Sequence, residues 1–288
     1  MRFSAECVPC LLNRVLYEVR LVAPDKAEKA MEASLEILDE KYPEGMNSAA
    51  LATEVHRIVY GIAGSRDPYE RLKVQSDEVA QGVFPKAESF VNQSENKLEA
   101  AALCAVAGNV VDFGIDASVE TPDQLARQFQ IIVAEGFAVD DLERARKRIV
   151  KAKKVLYLLD NCGESVLDRL LVREIRAMGP KVIGVVKGEP ILTDVTMEDA
   201  LRVGLDKEFD ELLSTDQFAV GMDPAKASAR LRRELDSSDL IVAKGMANFE
   251  ALGDRKLAPT LYLMRAKCNP VADAIGAKRN DNVARLID

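Results

Sequence analysis

The sequence predicts an α/β protein: a helical N-terminal region followed by a Rossmann-like three-layer α/β/α domain with a mainly parallel sheet. Three observations carry this. Up to about residue 150 the apolar residues recur only at helical spacing. From Lys154 onward short apolar runs alternate with helical stretches, the pattern of a parallel sheet joined by right-handed crossovers and covered on both faces. Three of those runs end abruptly in polar residues and a glycine. The expected division is an all-helical region over 1–150, itself of one or two subdomains, and a Rossmann-like domain over 151–288.

The elements follow in order. Leu11, Leu12, Val15, Val19 and Val22 share one helix face until Pro24 stops it. Pro24-Asp25 opens a second helix with Ala27, Ala30, Met31, Leu35 and Leu38 apolar, ending near Tyr42-Pro43-Glu44-Gly45. A third runs from Ser48 to Tyr60, and Gly61, Gly64 and Asp67-Pro68 mark a loop. Helices are expected over Glu70–Phe84 and Lys86–Gly108, the second interrupted near Asn92–Asn96, then over Pro122–Glu135 and Asp140–Lys151. No strand is expected before residue 150. Strands are then expected at Val155–Leu159, Lys181–Val186, Leu240–Ala243 and Thr260–Met264. Between and after them come helices at Glu164–Met178, Met197–Val203, Ala225–Leu235 and Asn269–Ile275.

Composition narrows the function classes. Of 288 residues, 48% are hydrophobic, enough for a substantial core. Forty-seven acids against 39 bases leave a net charge of −8, which argues against a nucleic-acid partner needing a basic face. No apolar run reaches the length of a membrane span and the N-terminus lacks a secretory signal core, so a cytoplasmic location and no membrane partner are expected. Five cysteines, an odd number, do not form a disulfide framework. With one histidine, His56, any metal centre is expected to use oxygen ligands.

The chemistry is expected where strands end. Asp160-Asn161-Cys162-Gly163-Glu164, Lys187 to Thr196 and Lys244 to Glu250 follow three of the strands, and parallel strands bring such ends to one edge. Asp160, Asp194, Asn161 and Lys244 would then surround one spot: carboxylate and amide oxygens for Mg²⁺ or Mn²⁺, a lysine for a phosphate. Each has a plainer reading, since Asp-Asn is a common turn and Asp194 could cap the helix beginning near Thr196. Asn109 and Asp112, one helical turn apart in Gly108-Asn109-Val110-Val111-Asp112, read on their own as solvated residues at a helix end. Cys7-Val8-Pro9-Cys10 has zinc-knuckle or thiol-pair spacing but no second such pair, and Cys268, or else His56, is its candidate third member for a second metal or a redox centre. Cys104 reads as core, Cys162 as a neighbour of the site, and His56 as a satisfied structural histidine. P-loop and dinucleotide glycine motifs are absent.

Taken together, C-V-P-C-L-L, G-N-V-V-D-F-G, L-L-D-N-C-G-E, P-I-L-T-D-V-T-M-E-D-A and K-G-M-A-N-F-E resemble the damage-control phosphatase family. That family was formerly catalogued as a domain of unknown function and includes a protein once described as an acidic-residue methyltransferase. The leading C-x-x-C is similar to its prokaryotic and archaeal branch. The resemblance implies a helical portion on a Rossmann-like domain and a divalent metal (Mg, Mn, Co or Ni) on Asp160, Asn161 and Asp194. It also implies a phosphate pocket of Lys244, Asn109 and Asp112, overturning the plainer reading of the last two. Glu164 and Asn248, from the same clusters, join the expected substrate-binding set, with Asp160, Asp194 and Lys244 as the catalytic set.

The function expected is metal-dependent hydrolysis of phosphate monoesters of small metabolites, such as sugar phosphates or damaged phosphorylated cofactors. The alternatives are a carboxyl methyltransferase using S-adenosylmethionine, which lacks its glycine-rich turn here, and a metal-binding protein without catalysis. Oligomeric state stays open.

Overall fold

The computed structural model describes residues 1–108, 122–253 and 257–288. Seven strands form one sheet: β1 (Val139–Asp140), β2 (Lys154–Leu158), β3 (Lys181–Val186), β4 (Glu211–Ser214), β5 (Leu240–Lys244), β6 (Thr260–Arg265) and β7 (Asn282–Ile287). Their order across the sheet is β1-β7-β6-β5-β2-β3-β4. Every pairing is parallel except β6 with β7. From β2 the chain builds outward through β3 to β4, then crosses to the other side of β2 for β5 and β6. The reversal of direction therefore falls between β2 and β5, where an open α/β sheet leaves a crevice at its carboxyl edge.

Alternation along the strands sorts the core into two layers. Val155, Tyr157 and Leu159 pack in one layer with the helices α4 (Glu70–Gln93), α5 (Lys97–Ala107), α6 (Pro122–Glu135), α7 (Leu142–Ile149) and α8 (Glu164–Ala177). Leu156 and Leu158 face the opposite layer, against α10 (Ala229–Ser237), α11 (Gly245–Leu252) and α12 (Asn269–Ile275). The strands of the middle are buried apart from Lys154 at the start of β2, as their near-continuous apolar sequence requires.

The first three helices, α1 (Cys7–Val22), α2 (Ala27–Lys41) and α3 (Ser48–Ala63), enclose their own small core of Leu11, Val15, Val19, Ala30, Leu38, Leu51, Val55 and Val59. Helix α3 ties this unit to the sheet domain. Asn47, which caps it, donates to the Glu250 carbonyl at 2.8 Å, and Thr53 Oγ1 accepts the Val220 N–H at 2.9 Å. Among the described residues no helix is long and apolar enough to cross a membrane.

Three local expectations are corrected. Pro85 lies inside α4 and does not end it; Val83, Ala87 and Val91 keep one buried face, and that burial outweighs the lost hydrogen bond. The break comes later, where Asn96 accepts the Glu99 N–H and caps α5. A strand, β1, does occur before residue 150: two residues long, it is too short for any periodicity to announce, and it joins the sheet by pairing with β7. Pro224–Lys226 forms a separate 3-10 turn, so α10 starts only after the cap at Ser228.

Candidate active site

β2 ends in a turn that carries Asp160 and Asn161 and then enters α8. Gly163 makes the turn with φ of +76°, and its N–H donates to Asp77 Oδ1 of α4 at 2.7 Å. A second turn, after β3, runs alongside. Cys162 N–H donates to the Thr193 carbonyl at 2.8 Å and Val195 N–H to the Asp160 carbonyl at 2.9 Å, which sets Asn161 opposite Asp194. Asp194 therefore faces Asn161, while Thr196, with Asp199, supplies the capping box of α9 (Met197–Arg202). The third element is β5. Gly245, which follows Lys244 with φ of +73°, lies so close to Asp160 that a Cβ there would stand 1.7 Å from Asp160 Oδ2. Only glycine lets the backbone approach this carboxylate.

The side chains form a continuous polar chain. Thr193 Oγ1 donates to Asn161 Oδ1 at 2.7 Å, and Asn161 Nδ2 donates to Asp160 Oδ2 at 2.8 Å and Glu164 Oε2 at 3.3 Å. The Lys187 ammonium stands 3.1 Å from Asp194 Oδ2 and also donates to the carbonyls of Ala219 and Gly221. Lys244 is fully buried beneath. Its ammonium donates to Glu164 Oε1, to Asp168 Oδ1 at 2.7 Å and to the Ala105 carbonyl at 2.9 Å, and Tyr157 donates to the same Asp168 oxygen at 2.7 Å. Burial, then the negative charges of Asp194 and Glu164, push the Asp160 carboxyl well above the usual range, with Lys187 and Lys244 pulling the other way. Burial likewise raises Asp168, to about 6, against the pull of Lys244. Burial disfavours the charged form of Lys244, but Asp168 and Glu164 outweigh it and hold the lysine protonated.

A cavity of about 410 Å³ opens at Asp160, Asn161, Thr193 and Asp194. Across it stand the first turn of α1, with Cys7 and Cys10, and the start of α12, with Cys268. Arg14, Lys267 and Arg279 supply cationic walls, and Phe3, Leu11, Val220 and Met246 apolar ones. Glu164, Lys244 and Asn248 lie outside this lining. Asn248 donates to the carbonyls of Leu159 and Lys244, at 3.2 and 2.8 Å, and so laces the end of β2 to the start of α11.

The structure thus brings Asp160, Asn161, Asp194, Glu164 and Lys244 together at the switch point of the sheet, with the Lys244 ammonium directed beneath the site. Asn109 and Asp112 lie outside the described residues; the preceding Gly108 is packed against Glu164, where a Cβ would stand 2.9 Å from the Glu164 Cα. The three cysteines border the same cavity and none of them is in a disulfide, and among the described residues no group of three or more His, Cys, Asp or Glu side chains is placed to hold a metal. Cys162 is buried in the core layer of α8. His56 is paired with Glu18 at 2.8 Å, as expected of a structural histidine, though it also borders the cavity. Sequence reasoning did not single out Lys187, Thr193, Arg14, Lys267 or Arg279. Lys187 occupies the same strand-end position after β3 that Lys244 holds on β5, a signal that was readable; the other four have none.

The donor set suits a hard divalent cation. Two carboxylates and an amide oxygen with a second lone pair converge, and among the described residues Lys187 and Lys244 stand amid four carboxylates, Asp160, Asp194, Glu164 and Asp168. The negative charge of Asp194 and Glu164, which adds to burial in raising the carboxyl of Asp160, is what such an ion relieves.

The comparisons agree with this architecture. Residues 3–283 match the family model described as the damage-control phosphatase ARMT1-like domain. A damage-control phosphatase of Archaeoglobus fulgidus is 39% identical, with all of both chains aligned. Damage-control phosphatase PH1575 of Pyrococcus horikoshii is 28% identical over 94% of this chain and 93% of its own. The crystal structure of that protein, described as a DUF89 family member, superposes with a TM-score of 0.89 at 27% identity and covers 99% of both chains. The chain belongs to the ARMT1-like damage-control phosphatase family.

Proposed function

We propose that this protein is a metal-dependent phosphatase that hydrolyses phosphate monoesters of small metabolites, sugar phosphates or damaged phosphorylated cofactors among them. One observation carries the reading beyond the family's name. Asp160, Asn161 and Asp194 converge at the topological switch point of the sheet and border a cavity that also has cationic walls. Asp160, Asn161 and Asp194 would hold the cation, with Mg²⁺, Mn²⁺, Co²⁺ and Ni²⁺ as the candidates. Bound there, a divalent ion supplies charge neutralisation to the phosphoryl oxygens and acidifies water.

The chain's own groups do the rest. Thr193 fixes the Asn161 carboxamide, and Lys187 fixes the Asp194 carboxylate from the opposite side. Arg14, Lys267 and Arg279 offer positive charge to the phosphate or to other anionic groups of the substrate. Lys244 serves from below, compensating Glu164 and Asp168 and so keeping Glu164 in place beside Asn161. In hydrolysis the P–O ester bond breaks, a water oxygen bonds to phosphorus, and a water proton ends on the leaving alcohol. Attack by water is the route proposed; rapid-quench trapping of a base-labile phosphoenzyme would establish attack by Asp160 instead.

The test is phosphate release from a panel of sugar phosphates and phosphorylated cofactors, with each of the four metals in turn. Activity is expected only with metal, and Asp160→Asn is expected to lower it by roughly 100-fold or more. Full metal-dependent activity in Asp160→Asn would show that the site is elsewhere.

A further inference from the structure

Asp77 touches neither the cavity nor a candidate ligand side chain, yet it is a carboxylate only 3% exposed, carried by a helix of the N-terminal region. One of its oxygens accepts the Gly163 N–H at 2.7 Å; the other accepts Arg202 Nη2, also at 2.7 Å. Arg202 ends α9 and reaches back to Asp199 Oδ1 at 2.8 Å. Asp199 Oδ2 accepts the Thr196 N–H at 3.0 Å and the Thr196 hydroxyl at 2.7 Å, and pairs with Lys73. Lys73 lies one helical turn before Asp77 on α4 and is itself 2% exposed.

These contacts join the two turns of the site to one helix. The Asp160-Asn161 turn is gripped two residues past Asn161, at Gly163. The Asp194 turn is gripped two residues past Asp194, at Thr196. Arg202 bridges the two grips. Interior ion pairs add little net stability over apolar packing of the same shape, because each charge has to be desolvated. Their directional, charge-assisted hydrogen bonds do fix relative position more sharply than apolar packing does. The distance between the two turns is what would determine whether Asp160, Asn161 and Asp194 fit a cation of a given radius.

We infer that Asp77 is a positioning residue: through Gly163 and Arg202 it sets the spacing of the two site turns and thereby the affinity of the site for a divalent cation. This rests on the metal site proposed above, and the experiment separates the two.

Mn²⁺ alone is titrated by calorimetry into the metal-stripped full-length protein, its Asp160→Asn variant and its Asp77→Ala variant. Amide hydrogen exchange across residues 160–165 and 193–199 is followed in the same metal-free samples. The expected result is Mn²⁺ binding weakened by about tenfold or more in Asp77→Ala, with secondary structure retained, as outer residues do to metal sites. Faster exchange in both segments is expected alongside it. A merely structural role would lower thermal stability but leave the Mn²⁺ affinity of the folded protein within about twofold of the parent, and that outcome overturns the inference even if exchange quickens. If Asp77→Ala does not fold, Asp77→Asn keeps the shape and one acceptor and is read the same way, with about threefold weakening expected and unchanged affinity overturning the inference. Loss of binding in Asp160→Asn with none in Asp77→Ala refutes the positioning role and leaves the metal site standing. Equal binding in the parent and Asp160→Asn refutes the metal site, and the positioning role falls with it.

Discussion

Lys187 and Lys244 stand at the carboxyl ends of the two strands that flank β2, and both are buried. They are engaged very differently. Lys244 is held by two carboxylates, Glu164 and Asp168, and a carbonyl, all beneath the site. Lys187 faces one carboxylate, Asp194, and otherwise the carbonyls of Ala219 and Gly221, on either side of Val220 in the cavity wall. The first lysine is part of the floor, tied to α8. The second is a neighbour of a candidate metal ligand. A strand-end lysine in an α/β crevice is therefore not a phosphate ligand by position alone; its carboxylate partners decide whether its charge is available to a ligand.

The strongest way to break the comparison is Lys244→Met. It keeps the bulk but leaves Glu164 and Asp168 as buried carboxylates without their cation. Losing one partner of a buried ion pair costs about 3–5 kcal/mol, and two acids are stranded here. Urea unfolding at pH 7 is expected to show a loss in that range. A loss near zero would mean that Lys244 is not the floor's counter-charge and that its role in the site is direct.

Much of this arrangement was legible in the sequence, and the illegible parts share a cause. The ends of β2, β3 and β5 announce themselves because apolar runs stop sharply at Asp160, Lys187 and Lys244, and parallel topology forces those ends to one edge. β7 (N-V-A-R-L-I) and β4 (E-L-L-S) were missed because polar residues, Asn282 and Arg285 in the one and Glu211 and Ser214 in the other, break up their short apolar runs, and β4 is a half-buried edge strand. For the Lys244 ammonium the informative signal was local: Glu164 and Asp168 are four residues apart on α8 and share a face, so a buried cation for both was readable there. Asp77 had no such signal. It meets Gly163 across 86 residues of sequence, and such a tertiary hydrogen bond leaves no periodicity behind. Arg14, Lys267 and Arg279 reach the cavity from three separate segments for the same reason.

A subtler test uses the metal to tell the two lysines apart. Lys187→Met strands only Asp194, so a smaller loss is expected, about 1–3 kcal/mol in metal-free protein. If a cation then sits against Asp194, saturating Mn²⁺ takes over part of the missing positive charge. The melting-temperature gap between Lys187→Met and parent should therefore narrow on adding Mn²⁺, whereas the gap for Lys244→Met should not. Equal behaviour of the two variants in a thermal-shift assay would erase the distinction between floor and site.

The smallest expected effect is a pH dependence of the Lys244→Met deficit. Burial raises the Asp168 carboxyl to about 6 even with Lys244 beside it, above its unfolded value near 4. A carboxyl whose folded pKa is raised binds protons more tightly in the native state, so its contribution to stability falls as pH rises from about 4 through the folded pKa. Without the lysine that pKa moves higher still, because the largest opposing influence is gone. At pH 7 the variant must hold its stranded carboxylates charged or pay to protonate them; towards pH 5 Asp168 takes a proton readily and no longer needs a counter-charge. The stability difference between parent and Lys244→Met should therefore shrink on acidification from pH 7 to pH 5. Lys187→Met, which leaves the Lys244–Asp168 pair intact, should lack this component. A deficit for Lys244→Met that is flat across this window would mean that Asp168 is not a significant part of what Lys244 compensates, leaving Glu164 as its principal partner.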